Sequence, residues 1–378
     1  MLQPSTMTTD VVVIGAGVVG LAVARALALR SREVIVLERH RAAGQETSSR
    51  NSGVIHSGIY YPPGSHKARL CTQGRDLLYA YCLEKGIAHQ QCGKLIVSQP
   101  AQINALSALQ QRAIANGITE LQWLSATQVR DFEPHIHCAA ALFSPLTGIL
   151  DVHEYITALH GDVVANGGHI AFDSECLSVR SAQRTDYPLT INARHANDNI
   201  KLNCRWVINC AGLHALSLLK QIGGYPQSLQ RQAYFAKGNY FVYRGCSPFK
   251  HLVYPMPDAA GLGIHATFDI NGRVHFGPDV EWLNNTGDYH VNPQRSADFY
   301  AAIREYWPSL ADNALQPGYA GIRPKLVGPS HASADFVIEG PTTHGLPGLI
   351  NLLGIESPGL TASLALANKV SHMVLDII

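Results

Sequence analysis

Residues 10–38, "DVVVIGAGVVGLAVARALALRSREVIVLE", decide how the rest of the chain is read. Asp10 to Ile14 is a β-branched run, the composition of a strand buried on both faces. Gly15-Ala16-Gly17-Val18-Val19-Gly20 follows at once, and residues 18–30, rich in Ala and Leu, predict a helix. Residues 32–37 form the next strand, which ends at Glu38. In such a β-α-β unit Gly15 permits the tight turn, Gly17 lets backbone approach a pyrophosphate, and Gly20 lets helix and strand pack closely. The helix N-terminus offers unsatisfied N–H groups to phosphate. Glu38 lies 18 residues beyond Gly20, where a carboxylate accepts hydrogen bonds from ribose hydroxyls. An acid there favours a free ribose over a 2′-phosphate, so NAD or FAD is expected before NADP.

The totals agree with a globular nucleotide-binding protein. At 378 residues the chain exceeds one ordinary core, which predicts two lobes. A net charge of +1 gives no nucleic-acid footprint and no polybasic membrane patch, so anionic ligands must be met by single Arg or Lys residues. The eight cysteines show no CxxC pair and no zinc spacing. They read as reduced thiols of a cytoplasmic protein, and no metal site is expected from them or from the nearby His135, His137 and Cys138. The N-terminal "MLQPSTMTTD" lacks a basic stretch and a cleavage site, and the run Val11 to Ala24 is too short for a bilayer span. The apolar C-terminus, broken by Asn368, Lys369, His372 and Asp376, reads as a packed helix.

Further along, helices are expected at 65–85, at 101–116 and from Asp151 to the Gly167-Gly168 pair, with strands at 94–98, 169–172, 175–180, 188–193 and in "RWVINCAG". Between about 230 and 290 the pattern becomes alternating strands with aromatics, and Ile270-Asn-Gly-Arg273 marks a hairpin turn. A helix at 293–306 closes that region, and the tail returns to strand ("PGLINLLG") then helix ("SPGLTASLALANKV"). This is an α/β chain, α+β overall, in which a discontinuous nucleotide-binding domain is interrupted by a β-rich substrate domain. The boundaries read as 1–85, 146–220 and 318–378 for the first, and 86–145 and 221–317 for the second. Three more glycine-lined approaches, at "SSRNSGVIHSGIYY" (48–61), "NCAGLHA" (209–215) and "GIESPGLTAS" (354–363), are more than one NAD needs. A flavin held end to end would use them all.

Together these pieces resemble the D-amino-acid-oxidase-type superfamily of FAD oxidoreductases, and most closely the L-2-hydroxyglutarate dehydrogenase/oxidase family. The resemblance rests on "VVVIGAGVVGLAVARAL", "NSGVIHSGIYYPPGSHKARLC", "GYAGIRPKL" and "GLINLLGIESPGLTASLA", and spans nearly the whole chain. It implies a Rossmann-like FAD-binding domain and an antiparallel-sheet substrate domain. It also implies that Gly15, Gly17, Val18, Val19, Gly20, Glu38 and Arg39 serve the ADP half of FAD. Ser49, Arg50, Asn51, Ser52, Gly53, Val54 and His56 would run along the flavin, with Ala211 and Gly212 as a second approach. Gly354, Ile355, Glu356, Ser357, Gly359, Leu360 and Thr361 would close over the ring end. Two segments depart from the family pattern. Ser48-Ser49-Arg50 stands where "TGH" is usual and is more like the glycerol-3-phosphate dehydrogenase branch, and Lys237-Gly-Asn-Tyr-Phe241 replaces a segment like "FRGEYY".

Oxidising a 2-hydroxy acid requires a carboxylate anchor, a base for the hydroxyl proton and a hydride acceptor, here flavin N5. Arg323, in "AGIRPKL", is the expected anchor and also lies among the cofactor contacts, because guanidinium grips carboxylate through two parallel hydrogen bonds. Of the 18 histidines, His56 in its glycine-flanked setting is the first candidate base and His265 the second. Tyr60, Tyr61 and Tyr240 are expected to line the pocket, with Lys237 and Arg69 holding a second carboxylate or a phosphate. The expected activity is oxidation of a small 2-hydroxy acid, L-2-hydroxyglutarate to 2-oxoglutarate. The alternatives are oxidation of an amine, an amino acid or glycerol 3-phosphate, and a flavin-binding interaction protein without turnover. Dioxygen, a quinone or an electron-transfer protein would take the electrons, and a quinone would imply peripheral membrane contact.

Overall fold

The computed structural model describes residues 6–182, 186–257, 263–331 and 334–375. The first five residues of the N-terminal decamer, Gly261 and Leu262 at the head of an expected strand, and the last three residues of the chain lie outside them. Two compact units divide the chain. The first runs through Ser49, then Val152–Phe235, then from Arg323 onward; the second is Arg50–Asp151 with Ala236–Ile322.

In the first unit the opening strand spans Thr6–Ile14 (β1), the helix Val18–Ala28 (α1) and the second strand Val34–Leu37 (β2). β1 begins before the apolar run because Thr6–Thr9 pair with Lys201–Cys204 of the long strand Asp198–Asn209. Val11, Val12 and Val13 are wholly buried, as a strand covered on both faces demands. Parallel pairing gives the order His169–Ala171, β2, β1, Asp198–Asn209, Leu349–Leu353. Two hairpin strands, Ser174–Ser181 and Leu189–His195, extend the other half of Asp198–Asn209 in antiparallel fashion. Helix α1 packs against the helices Val152–Ala165 and Gly359–Leu375, and Tyr155 and Ser363 share a buried 2.8 Å hydrogen bond between those two.

The second unit is built on a sheet of nine strands among the described residues, which includes Lys94–Ser98, Ala140–Ser144, Tyr234–Tyr243 and Leu252–Pro255. Lys94–Ser98 and Leu252–Pro255 pair in parallel, while Ala140–Ser144 pairs antiparallel with Lys94–Ser98, and Val274–Phe276 antiparallel with Tyr234–Tyr243. The Ile270–Arg273 turn joins the short strands Ala266–Phe268 and Val274–Phe276, with Gly272 at φ +80°. The helix His66–Lys85 starts where the Ser65 hydroxyl accepts from the Ala68 N–H and stops at Gly86 in the left-handed region.

The unit boundaries differ from the sequence division in one large respect. Residues 50–85 fold with the second unit, not with the glycine-loop unit. Val54–Ile55 pairs with Gly148–Leu150, which also holds His89–Gln90, so long-range strand pairing captures this stretch. Ile59 adds to the same capture by packing with Ile96, Leu106 and Met256.

Candidate active site

In the first unit the glycine turn is assembled by steric exclusion. A Cβ on Gly20 would fall 1.9 Å from the Gly15 carbonyl oxygen, and one on Gly15 2.7 Å from that of Cys210. Only glycine at both positions lets α1 approach β1 and Asp198–Asn209 this closely. Gly17 is the N-cap of α1 and supplies no side chain to its first turn, which carries no acid. The Ser48 hydroxyl instead accepts from the Val18 N–H at 3.0 Å. Glu38 is buried, and its two carboxylate oxygens accept from the N–H groups of Ala16 (2.7 Å) and His40 (2.9 Å). The acid thereby pins the loop to the end of β2. Beside it Glu46 binds Arg39 and His214. Burial would raise its pKa, yet His214, Arg39 and His40 together hold the carboxyl at about 2.

Gly354, at φ +66°, turns the chain past Leu326 into the helix Gly359–Leu375. Glu356, expected at the flavin ring, is buried and clasped by the half-buried Lys325 at 2.7 and 2.9 Å, a pair that fixes this turn. Ala211 and Gly212 follow the end of Asp198–Asn209, with Gly212 at φ +52°. Arg323 is half-buried in the strand Leu315–Lys325, at the first position assigned to this unit.

The second unit gathers side chains. Lys94, at the head of a strand buried throughout, is 1 % exposed. Its ammonium lies over two phenol rings, 4.8 Å from the centroid of Tyr60 and 4.6 Å from that of Tyr254. His265 stacks on the other partner of this sandwich, Tyr254, at 3.6 Å and 9°. Tyr240 stacks on Tyr319 at 4.5 Å, and His275 meets Tyr319 edge-on. His56 keeps an accessible edge although protein atoms crowd it. That crowding, with the nearby Lys94 charge, pushes its pKa down to about 3, so the imidazole is neutral at physiological pH. The Cys71 thiol, which donates to the His56 carbonyl at 3.4 Å, is pushed up to about 12 by burial. Burial likewise lowers Lys94 to about 7 and raises the phenols of Tyr60 and Tyr254.

The stretch leading into His56 is braced from its own unit. Gly53 N–H donates to the Asn51 side chain at 2.8 Å, and Tyr319 OH donates to the Asn51 carbonyl at 2.9 Å. The Arg50 guanidinium rests 4.2 Å over the ring of Tyr289. Gly321 is required where a Cβ would fall 2.0 Å from the Arg50 carbonyl oxygen.

So the fold brings His56, Tyr60 and His265 together, through Lys94 and Tyr254. Tyr61 offers its carbonyl to Asn116 at 2.9 Å. Two expectations for a distal anion site are corrected. Lys237 is already engaged by Asp288 (2.7 Å), Glu281 (3.3 Å) and the His290 carbonyl (2.9 Å), partners remote in sequence. Arg69 is exposed on the outer side of its helix. Sequence reasoning does not reach Lys94, Tyr254, Tyr319 or Ser48. The one signal for Lys94 is a charge leading the apolar strand "KLIVS" directly after Gly93.

The pattern of the family described as FAD-dependent oxidoreductase matches residues 10–373. The mitochondrial L-2-hydroxyglutarate dehydrogenase of Arabidopsis thaliana is 44% identical, over 97% of this chain and 83% of that protein. Among solved structures, L-α-glycerophosphate oxidase from Mycoplasma pneumoniae, with FAD bound, superposes with a TM-score of 0.87 at 25% identity, covering 97% of this chain and 95% of that one. Glycine oxidase from Geobacillus kaustophilus has a TM-score of 0.81 at 19% identity, over 98% and 95% of the two chains, a likeness of fold.

Proposed function

Since the chain belongs to the FAD-dependent oxidoreductase family, we propose that it oxidises L-2-hydroxyglutarate to 2-oxoglutarate. The substrate follows from the near full-length similarity to the plant dehydrogenase. The observation that carries the chemistry is the group of His56, Lys94, Tyr60, Tyr254 and His265, where a neutral imidazole and a cation share an apolar enclosure.

The first unit fits the ADP half of FAD. Gly17 leaves the start of α1 without a side chain, a Cβ there would close to 2.9 Å on Ser48 Oγ, and Glu38 pins the loop to the end of β2. Gly15 would make the turn, Gly17 would let the pyrophosphate approach the start of α1, Gly20 would keep that helix close, and Glu38 would hold the ribose. Bound FAD supplies a two-electron acceptor for the hydride on the substrate carbon. The protein's share is to orient the acid and remove the hydroxyl proton. His56, neutral before substrate arrives, takes that proton at an imidazole nitrogen, and an anionic substrate beside it raises its affinity for the proton. Arg323 anchors the 1-carboxylate in this reading.

All eight cysteines are free thiols, which supports a reducing compartment, in our reading the cytoplasm. No helix among the described residues is long and apolar enough to cross a membrane.

A second reading, oxidation of glycerol 3-phosphate, is favoured by Ser48-Ser49-Arg50 and by the fold likeness to the glycerophosphate oxidase. Anaerobic titration of the yellow purified protein separates the two. L-2-Hydroxyglutarate should bleach the flavin band; bleaching by glycerol 3-phosphate alone would transfer the assignment. Absence of bleaching by hydroxy acids, amino acids and glycerol 3-phosphate alike would leave a flavin-binding protein without turnover.

A further inference from the structure

Lys94 poses a physical problem. Its side chain is 1 % exposed, yet its neighbours are two phenol rings, a neutral imidazole and a protonated thiol, and no carboxylate of the described residues pairs with it. Burying an ammonium without an anion is among the more unfavourable arrangements a fold can hold. Two other lysines do not share the problem: the buried Lys237 has Asp288 and Glu281, and the half-buried Lys325 has Glu356. A second polar group in the same place is also unanswered. The Tyr60 hydroxyl is buried and makes no hydrogen bond among the described residues, while its ring stacks beneath the Lys94 ammonium. A hydroxyl donor and a cation over the same ring, both lacking an acceptor, fit an anionic oxygen group, and for a dicarboxylate substrate that group is a carboxylate.

We propose that Lys94 and the Tyr60 hydroxyl form the subsite for the distal carboxylate of a dicarboxylate substrate and set the enzyme's preference for diacids over monoacids. The proposal rests on the L-2-hydroxyglutarate reading for the identity of the diacid. It gives Lys94 the role first expected of Lys237 and Arg69, which the fold commits elsewhere. Tyr254 serves as the far wall, holding the ammonium by its ring face while His265 supports the ring from behind. Such a subsite discriminates strongly, because a monoacid would leave the ammonium and the hydroxyl buried and unanswered.

The test uses flavin-loaded enzyme and two substrates of equal length, L-2-hydroxyglutarate and L-2-hydroxypentanoate, in which a methyl replaces the distal carboxylate. Wild type should favour the diacid by kcat/KM. Lys94→Met should raise KM for L-2-hydroxyglutarate by roughly 100-fold, the loss of a charge-assisted hydrogen bond with its ion pair. KM for L-2-hydroxypentanoate should stay level or fall. Lys94→Arg should keep the diacid preference, and Tyr60→Phe should lose part of it. A lysine that merely braces the fold would lower Tm when removed. Relief of an unpaired buried charge should instead raise the Tm of ligand-free Lys94→Met at pH 7, where the lowered native pKa costs stability relative to an unfolded lysine.

Equal losses on both substrates, an unchanged diacid KM, or no diacid preference in wild type would overturn the proposal. Calorimetric titration with glutarate and with pentanoate keeps the two readings apart. Glutarate binding that depends on Lys94, in a protein that L-2-hydroxyglutarate does not bleach, would sink the functional reading and leave the subsite standing. Turnover of L-2-hydroxyglutarate with KM indifferent to Lys94→Met would do the reverse. If Lys94→Met fails to load flavin, Tyr60→Phe and the wild-type preference decide the same question.

Discussion

On the proposed function, the glycine turn of the first unit and the Lys94 group of the second have the same task, presenting polar groups to an anion, and meet it by opposite means. The turn uses backbone: Gly15, Gly17 and Gly20 remove side chains, Glu38 accepts two N–H groups, and the helix end supplies the partial charge. The Lys94 group uses an amine held among phenol rings, with no carboxylate beside it among the described residues. A backbone site is stable before its ligand arrives. A buried-charge site is strained until an anion enters, which makes it selective.

The contrast breaks first at Gly20. Gly20→Ala places a Cβ 1.9 Å from the Gly15 oxygen, so the helix must withdraw from the strand. We expect loss of bound flavin on gel filtration and a lowered Tm, with overpacking costing about 1–3 kcal/mol or more. If the variant retains full flavin, the close approach of α1 is not what makes the cofactor site.

His56→Ala tests the side-chain site at nearly the same scale. The variant should keep its flavin and lose roughly 100- to 10,000-fold in kcat, the range for a positioned base. A loss confined to KM would assign His56 to binding.

The pH dependence sharpens the comparison. The titratable groups facing Lys94 are His56, held neutral down to about 3, Cys71, pushed up to about 12, and the phenols of Tyr60 and Tyr254, also raised. Lys94 alone of these changes charge near neutrality, at about 7. It is charged below that value and neutral above it. KM for a diacid should therefore be flat below about pH 7 and rise by up to about tenfold per pH unit above it. KM for a monoacid should not follow, and Lys94→Arg should move the rise out of reach. Steady-state kinetics between about pH 6 and 9 would check this.

The smallest effect is expected at Lys237. Its charges are answered on the spot, so Lys237→Met should leave kcat/KM within about twofold, under about 0.5 kcal/mol. A large KM change there would return the distal subsite to Lys237.

How much of this is legible in the sequence varies with the range of the interactions. β1, α1 and β2 appear where the pattern places them, because a buried β-branched run and a glycine turn are local constraints. The helix at 66–85 is equally plain from its serine cap and glycine stop. Residues 50–85 read as part of the wrong unit because Val54 and Ile55 are claimed by Gly148–Leu150, a pairing no local signal announces. Lys237 and Lys94 are indistinguishable in sequence, each a lysine in an apolar strand. Only the fold gives one two carboxylates and the other two aromatic rings.

The sequence by itself determined the glycine turn between β1 and α1 and the flavin class, and it singled out His56 for test, since each depends on spacings that a single short segment contains. The tertiary structure decided that, of Lys237 and Lys94, only Lys237 has carboxylates beside it among the described residues. That outcome depends on partners brought from separate strands and loops, and electrostatics in a buried site is set by what surrounds a charge rather than by its neighbours in the chain.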